Sequence, residues 1–120
     1  MSPTSTQQIL KRRRSERTAL IARAKRFADA LDSSLDVRAV VVFGSVARGD
    51  FNSSSDVDVL VIADHLPGRI LNRNDALGVP PPRVSFVAWT IEEWSREKQR
   101  RNPIVLDVEA HGVILSGELP

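Results

Sequence analysis

Asp56 and Asp58 flank a valine at the start of DVDVLVI, and this spacing is the first feature of the chain with chemistry in it. Side chains alternate along a strand, so acids at i and i+2 share one face, with Cα atoms ~6.5 Å apart. Two like charges converging at the end of a sheet repel unless a cation neutralises them. Hard oxygen donors suit magnesium, which binds through one or two carboxylates together with substrate phosphates. A pair of such ions ~3.5–4 Å apart can stabilise both the attacking and the leaving oxygen of an in-line phosphoryl displacement. Upstream, the apolar run VRAVVVF ends in Gly44-Ser45. Glycine lets the backbone approach a phosphate closely, and a helix N-terminus offers free N–H groups and a favourable dipole. Ser45 adds a hydroxyl donor. Alone, a glycine-serine turn is usually just a turn, and acids at strand ends are usually solvated. Together they predict a phosphate cradle beside a metal-binding acid pair.

The elements that must position these residues follow from the apolar pattern. Ser5 with Gln8 has the form of a capping box, and Leu20, Ala24, Phe27 and Leu31 recur at helical spacing, predicting a basic helix over about 6–32. Val37 to Phe43 is nearly all β-branched or aromatic and reads as a strand buried on both faces. Gly44 to Ser55 predicts a short helical turn and a loop, and Asp56 to Ile62 a second strand. A short helix is expected at roughly 69–77. The stiff Pro80-Pro81-Pro82 then feeds a strand from Arg83 to Trp89. Thr90 with Glu93 caps a helix reaching Arg101, Pro103 opens another ending near His111-Gly112, and Val113-Ile114-Leu115 is a last strand. The expected class is α/β (α+β): a mixed sheet of about four strands with helices packed on it, with the core at about 37–115.

Composition bounds the rest. A chain of 120 residues, 42% apolar and 27% charged, suits one compact domain spanning 1–120. No apolar run is long enough for a membrane span, and the basic N-terminal stretch lacks the apolar core of a signal peptide, so a cytoplasmic location is expected. The absence of cysteine removes disulfides and thiolate metal sites. Charge is uneven: residues 1–26 carry eight basic residues and one acid, leaving −5 on the remainder against a total of +2. That asymmetry reads as a solvated helix face first and as a nucleic-acid anchor second.

The stretch GSVARGDFNSSSDVD fits the G-S-x10-D-x-D signature of the polymerase-β-like nucleotidyltransferase superfamily, and the short chain resembles the minimal nucleotidyltransferases of prokaryotes (MNT, MntA-like). The tail from Thr90-Ile91-Glu92-Glu93-Trp94 through Asn102-Pro103 to His111-Gly112-Val113-Ile114-Leu115 is similar in kind, so most of 37–115 is covered. By this resemblance Gly44 and Ser45 would hold the phosphates of a nucleoside triphosphate, ATP being expected. Asp56 and Asp58 would be the catalytic acids and would ligate Mg2+ or Mn2+. Arg48 would pair with a phosphate oxygen, or else with Asp50 or another surface acid. Ser53, Ser54 and Ser55 have no catalytic role, and Asp107 and Glu109 read as surface acids.

The resemblance has one break. Active members carry a third carboxylate on the next strand, and alignment of Arg83–Trp89 puts Ser85 there. Serine is neutral at pH 7 and is a poor general base. Two functions therefore stand side by side. One is an enzyme that moves a nucleoside monophosphate from ATP to an acceptor hydroxyl, either on a HEPN-type protein partner, as in toxin–antitoxin pairs, or on a small molecule. The other is a weak or inactive nucleotide-binding module that acts by pairing with a partner subunit. A domain this short offers half a cleft, so a partner or a second copy must complete it. His65 and His111 carry no expected role, and Trp89 and Trp94 are expected to pack.

Overall fold

The computed structural model describes residues 5–120. Helix α1 (Thr6–Asp29) is followed by a 3-10 turn (Ser33–Leu35), β1 (Val37–Phe43), α2 (Gly44–Arg48), β2 (Val57–Ala63), α3 (Ile70–Leu77), β3 (Val84–Trp89), α4 (Ile91–Gln99), α5 (Pro103–His111) and β4 (Val113–Gly117). The strands form one mixed sheet in the order β3-β2-β1-β4. β1 lies antiparallel to both β2 and β4, while β2 and β3 run parallel. The α/β (α+β) expectation of about four strands with packed helices is thus met. No helix among the described residues is long and apolar enough to cross a membrane.

Alternation divides each central strand between two cores. On one face Val40, Val42, Val57, Val59 and Val61 pack with Leu20, Ala24 and Phe27 of α1. Phe27 stacks on Phe86 of β3 with ring centroids 5.3 Å apart. On the other face Ala39, Val41, Leu60 and Ile62 meet Trp94 of α4 and Val105 and Val108 of α5. Burial on both faces explains why β1 and β2 are continuous valine-rich runs.

Helix α1 stops at Asp29, three residues before the expected end at 32. The reason lies in Asp32, whose side chain accepts from the Ser34 N–H at 2.8 Å and starts the 3-10 turn. That turn closes on Asp36 in the left-handed region, which no helix could continue through. The capping boxes expected at Ser5/Gln8 and Thr90/Glu93 are both formed. Asp56 was expected as the first residue of the second strand, but β2 starts at Val57, leaving Asp56 just outside it. Likewise Arg83 falls outside β3, because its φ of 66° places it in a turn. Trp94 is in the core as expected, with its Nε1 buried and without a partner.

Arg73 is the one buried charged residue among those described. Its guanidinium donates to the Pro67 carbonyl at 2.6 Å, the Ala88 carbonyl at 3.0 Å and Glu93 Oε1 at 2.6 Å, tying α3 to the edge strand and to α4. Burial raises the Glu93 pKa, but the Thr90 amide, the Arg73 guanidinium and the Thr90 hydroxyl outweigh it and hold the carboxyl below its ordinary value. A carboxyl depressed in the folded state stabilises above its unfolded pKa, and that stability is lost as pH falls through the folded value. Stability should therefore fall below about pH 4.5, and Glu93→Gln should flatten that limb of a urea-denaturation series taken against pH. Glu93→Ala, which strands a buried guanidinium, should cost about 3 kcal/mol at neutral pH.

Candidate functional site

The end of β1 and the starts of β2 and β3 meet at one end of the sheet. Register sets the neighbours: Phe43 lies opposite Asp58, and Asp58 lies opposite Ser85. Alternation turns Asp58 to the face that carries α4 and α5. Directly after Phe43, Gly44 adopts φ 78° and opens α2. A Cβ on Gly44 would fall on the Asp58 carboxylate, closer to Oδ2 than real nonbonded Cβ contacts come. The glycine is thus required twice, by its left-handed backbone and by the acid lying against it. The other carboxylate oxygen, Oδ1, accepts from the Ser85 hydroxyl at 2.9 Å. Ser85 accordingly stands beside Asp58 in the position the resemblance assigns to a third acid.

Three arginines hold the chain around this point. Arg17 of α1 donates to the carbonyls of Val46 at 2.8 Å and Ala47 at 3.0 Å. Arg13 donates to Phe51 at 2.6 Å and Gly49 at 3.1 Å, with its guanidinium 4.7 Å from the Phe51 ring centroid. Both satisfy carbonyls at and just past the C-terminus of α2, where the helix dipole favours a cation. Arg83 donates twice to the Ser55 carbonyl, at 2.6 and 3.1 Å, while its own carbonyl accepts from Val57 N–H at 2.8 Å. These bonds fix both sides of Asp56. Between them, Asn52 and Ser55 close a tight turn: the Asn52 amide donates to Ser55 Oγ, and Asn52 Oδ1 accepts from the Ser54 amide and hydroxyl. The three serines are turn residues.

The site holds one acid that sequence reasoning missed. Asp107 of α5 was expected on the surface, yet its side chain is only 15% exposed. Its Oδ2 accepts from Gly44 N–H at 2.7 Å and from Arg48 Nη1 at 3.0 Å. Arg48 also reaches Asp50 at 3.2 Å, and the hydrogen bonds to Asp50 and Asp107 raise its pKa above the ordinary arginine value. Of the two roles open to Arg48, the ion pair with nearby acids is the one seen. The signal for Asp107 in the sequence was faint: it lies three residues from Ile104 and next to Val108, at the rim of the apolar stripe of α5. Glu109 pairs with Lys98 and is exposed, as expected. His65 and His111 are exposed.

Gly44, Ser45, Asp58 and Ser85 are brought together, with Asp56 exposed at the rim. Two carboxylates and polar backbone supply hard oxygen donors of the kind that suit Mg2+ or Mn2+, leaving further positions to phosphate and water. Among the described residues no three His, Cys, Asp or Glu side chains gather as a metal cage. The donor set therefore fits a cation shared with an anionic substrate.

The family model of the nucleotidyltransferase domain matches residues 24–111, which include Gly44, Ser45, Arg48, Asp56, Asp58, Ser85 and Asp107 but not Arg13 or Arg17. Two proteins of Methanocaldococcus jannaschii, each named "putative protein adenylyltransferase", are 48% and 40% identical over 42 residues. Those alignments cover 35% and 33% of the chain and 29% and 42% of the relatives, so the chain spans less than half the length of either. The crystal structure of a "putative nucleotidyltransferase" from Sulfolobus solfataricus superposes with a TM-score of 0.63 at 21% identity, covering 85% of this chain and 84% of that one. At that identity the likeness speaks for the fold. Replacing Gly44 with alanine should cost about 1–2 kcal/mol from the left-handed backbone alone, with more from displacement of Asp58. Urea denaturation would give the loss, and Mn2+ titration should show weakened binding.

Proposed function

The chain belongs to the nucleotidyltransferase domain family, and on that premise we propose that it transfers a nucleoside monophosphate, AMP from ATP, to a hydroxyl of an acceptor. The observation that carries this reading is Asp58, held with one carboxylate oxygen against Gly44 and the other on Ser85, beside the strand-to-helix turn Gly44-Ser45. In the reaction the acceptor oxygen bonds to the α-phosphorus, the bond to the β-phosphate oxygen breaks, and pyrophosphate leaves. Mg2+ or Mn2+ held by Asp56 and Asp58 would neutralise charge on the reacting phosphates. Gly44 and Ser45 bind and orient the phosphates, and Arg48 supplies the cation nearest to them. Arg13, Arg17 and Arg83 keep the turn and the Asp56 loop in place through their bonds to backbone carbonyls.

Ser85 favours a second reading. Its hydroxyl donates to Asp58 and offers no carboxylate to take the acceptor's proton, which suits a slow enzyme or a nucleotide-binding module that works through a partner. The site lies on an open end of the sheet, so the acceptor side of the cleft would come from a second protein, a HEPN-type subunit or another copy of this chain. A basic α1 that binds nucleic acid is less favoured. Arg13, Arg17, Arg23 and Lys25 each donate to a backbone carbonyl of another segment, so half of the basic run serves the fold.

Incubation with α-labelled ATP and Mg2+ or Mn2+, with and without a HEPN-type protein, should place label on the acceptor. Asp58→Asn should reduce the rate at least about a hundredfold. Ser85→Asp should raise it by about 10²-fold if the missing acid limits turnover. No transfer by the wild-type chain, or transfer indifferent to Asp58→Asn, would overturn the enzymatic reading.

A further inference from the structure

We infer that Asp107 stands in the place of a substrate phosphate and must swing away, releasing Arg48, before the triphosphate can engage Gly44; it is thereby a positioning residue that latches the empty site and weakens the binding of phosphorylated ligands. The inference rests on the nucleotidyl-transfer reading of Gly44-Ser45. Its ground is that one carboxylate oxygen takes both donors a phosphate would use, the Gly44 N–H at 2.7 Å and Arg48 Nη1 at 3.0 Å. An N–H makes one strong bond at a time. A phosphate oxygen on Gly44 N–H would also lie against the Asp107 carboxylate, and two anions in contact repel unless one leaves.

The surroundings permit the exchange. Val105 and Val108 are buried and anchor α5 in the core, so a rotation of the Asp107 side chain needs no movement of the helix. Asp107 is partly open to solvent and Arg48 more so, at 15% and 37%. Arg48 keeps a second carboxylate, Asp50, while its bond to Asp107 is broken. An incoming triphosphate replaces the carboxylate on both donors, so each charge-assisted bond lost is matched by one gained. A nucleoside has nothing to offer either donor and leaves the latch closed. The more negative the ligand, the more the Asp107 carboxylate opposes its approach, so the latch costs a triphosphate more than a monophosphate.

Calorimetric titration of the full chain with adenosine, AMP, ADP and ATP, each with Mg2+, tests this. In Asp107→Ala the ATP Kd should fall about tenfold, as expected for removing a competing charged hydrogen bond. Asp107→Asn, which keeps one acceptor oxygen without the charge, should fall between Ala and wild type and serves if the alanine variant does not fold. The gain should shrink from ATP to AMP and vanish for adenosine. Arg48→Ala should remove most of it in the Asp107→Ala background. A purely structural Asp107 would lower thermal stability and weaken every ligand alike. Equal or weaker ATP binding by both variants, or a gain shared by adenosine, overturns the inference while leaving nucleotidyl transfer standing. Failure of the wild type and every variant to bind Mg-ATP overturns both.

Discussion

The Asp58 carboxylate rests on a glycine, and much of this end of the molecule follows from that contact. A Cβ at position 44 would push aside Oδ2 at the tip of the Asp58 side chain, and the positive φ there favours glycine as well. The β1–β2 register must place Phe43 opposite Asp58, because a slip of one residue would send the acid into the valine core on the other face. Parallel pairing with β3 must then bring Ser85 to the second oxygen. None of these conditions concerns the acid's own chemistry. All are conditions on where the backbone runs.

A short helix such as α2 has little stability of its own. Its five residues are held at both ends by side chains from distant helices: Asp107 takes the amide of Gly44, and Arg17 and Arg13 take carbonyls at its far end and just beyond. The signs agree with the dipole, anion at the N-terminus and cation at the C-terminus. The N-terminal basic run therefore has two parts. Arg13 and Arg17 continue the stripe of Leu20, Ala24 and Phe27 and face the protein, while Lys11, Arg12 and Arg14 are on or near the outer surface. Counting the run as one patch hid this division.

What the sequence disclosed and what it withheld divide along the same physical line. The strands, both capping boxes and the Gly44-Ser45 turn rest on local pattern, which alternation and turn residues encode directly, while the place of Ser85 came from the family resemblance. The end of α1 and the start of β3 were misread because the Asp32 cap and the left-handed backbone at Arg83 are features that propensity does not reveal. Asp107 was out of reach for a different reason. Its role depends on α5 crossing beside α2, 63 residues away in the chain, and nothing within the helix marks which rim residue will meet Gly44. The spacing from Arg13 to Arg17 to Leu20, four residues and then three, was legible and became informative only as part of the apolar stripe.

Ser85 links stability to chemistry. A third carboxylate beside Asp58 would add one more like charge to an end of the sheet where the available cation, Arg48, is already shared by Asp50 and Asp107. Without a metal such acids repel or take up protons. Serine instead donates a hydrogen bond to Asp58 and fixes its orientation at no electrostatic cost. The fold is thereby relieved of one like charge beside Asp58. On the nucleotidyl-transfer reading proposed above, the same residue that orders Asp58 through a hydrogen bond would also slow turnover, unless a partner supplied the missing base.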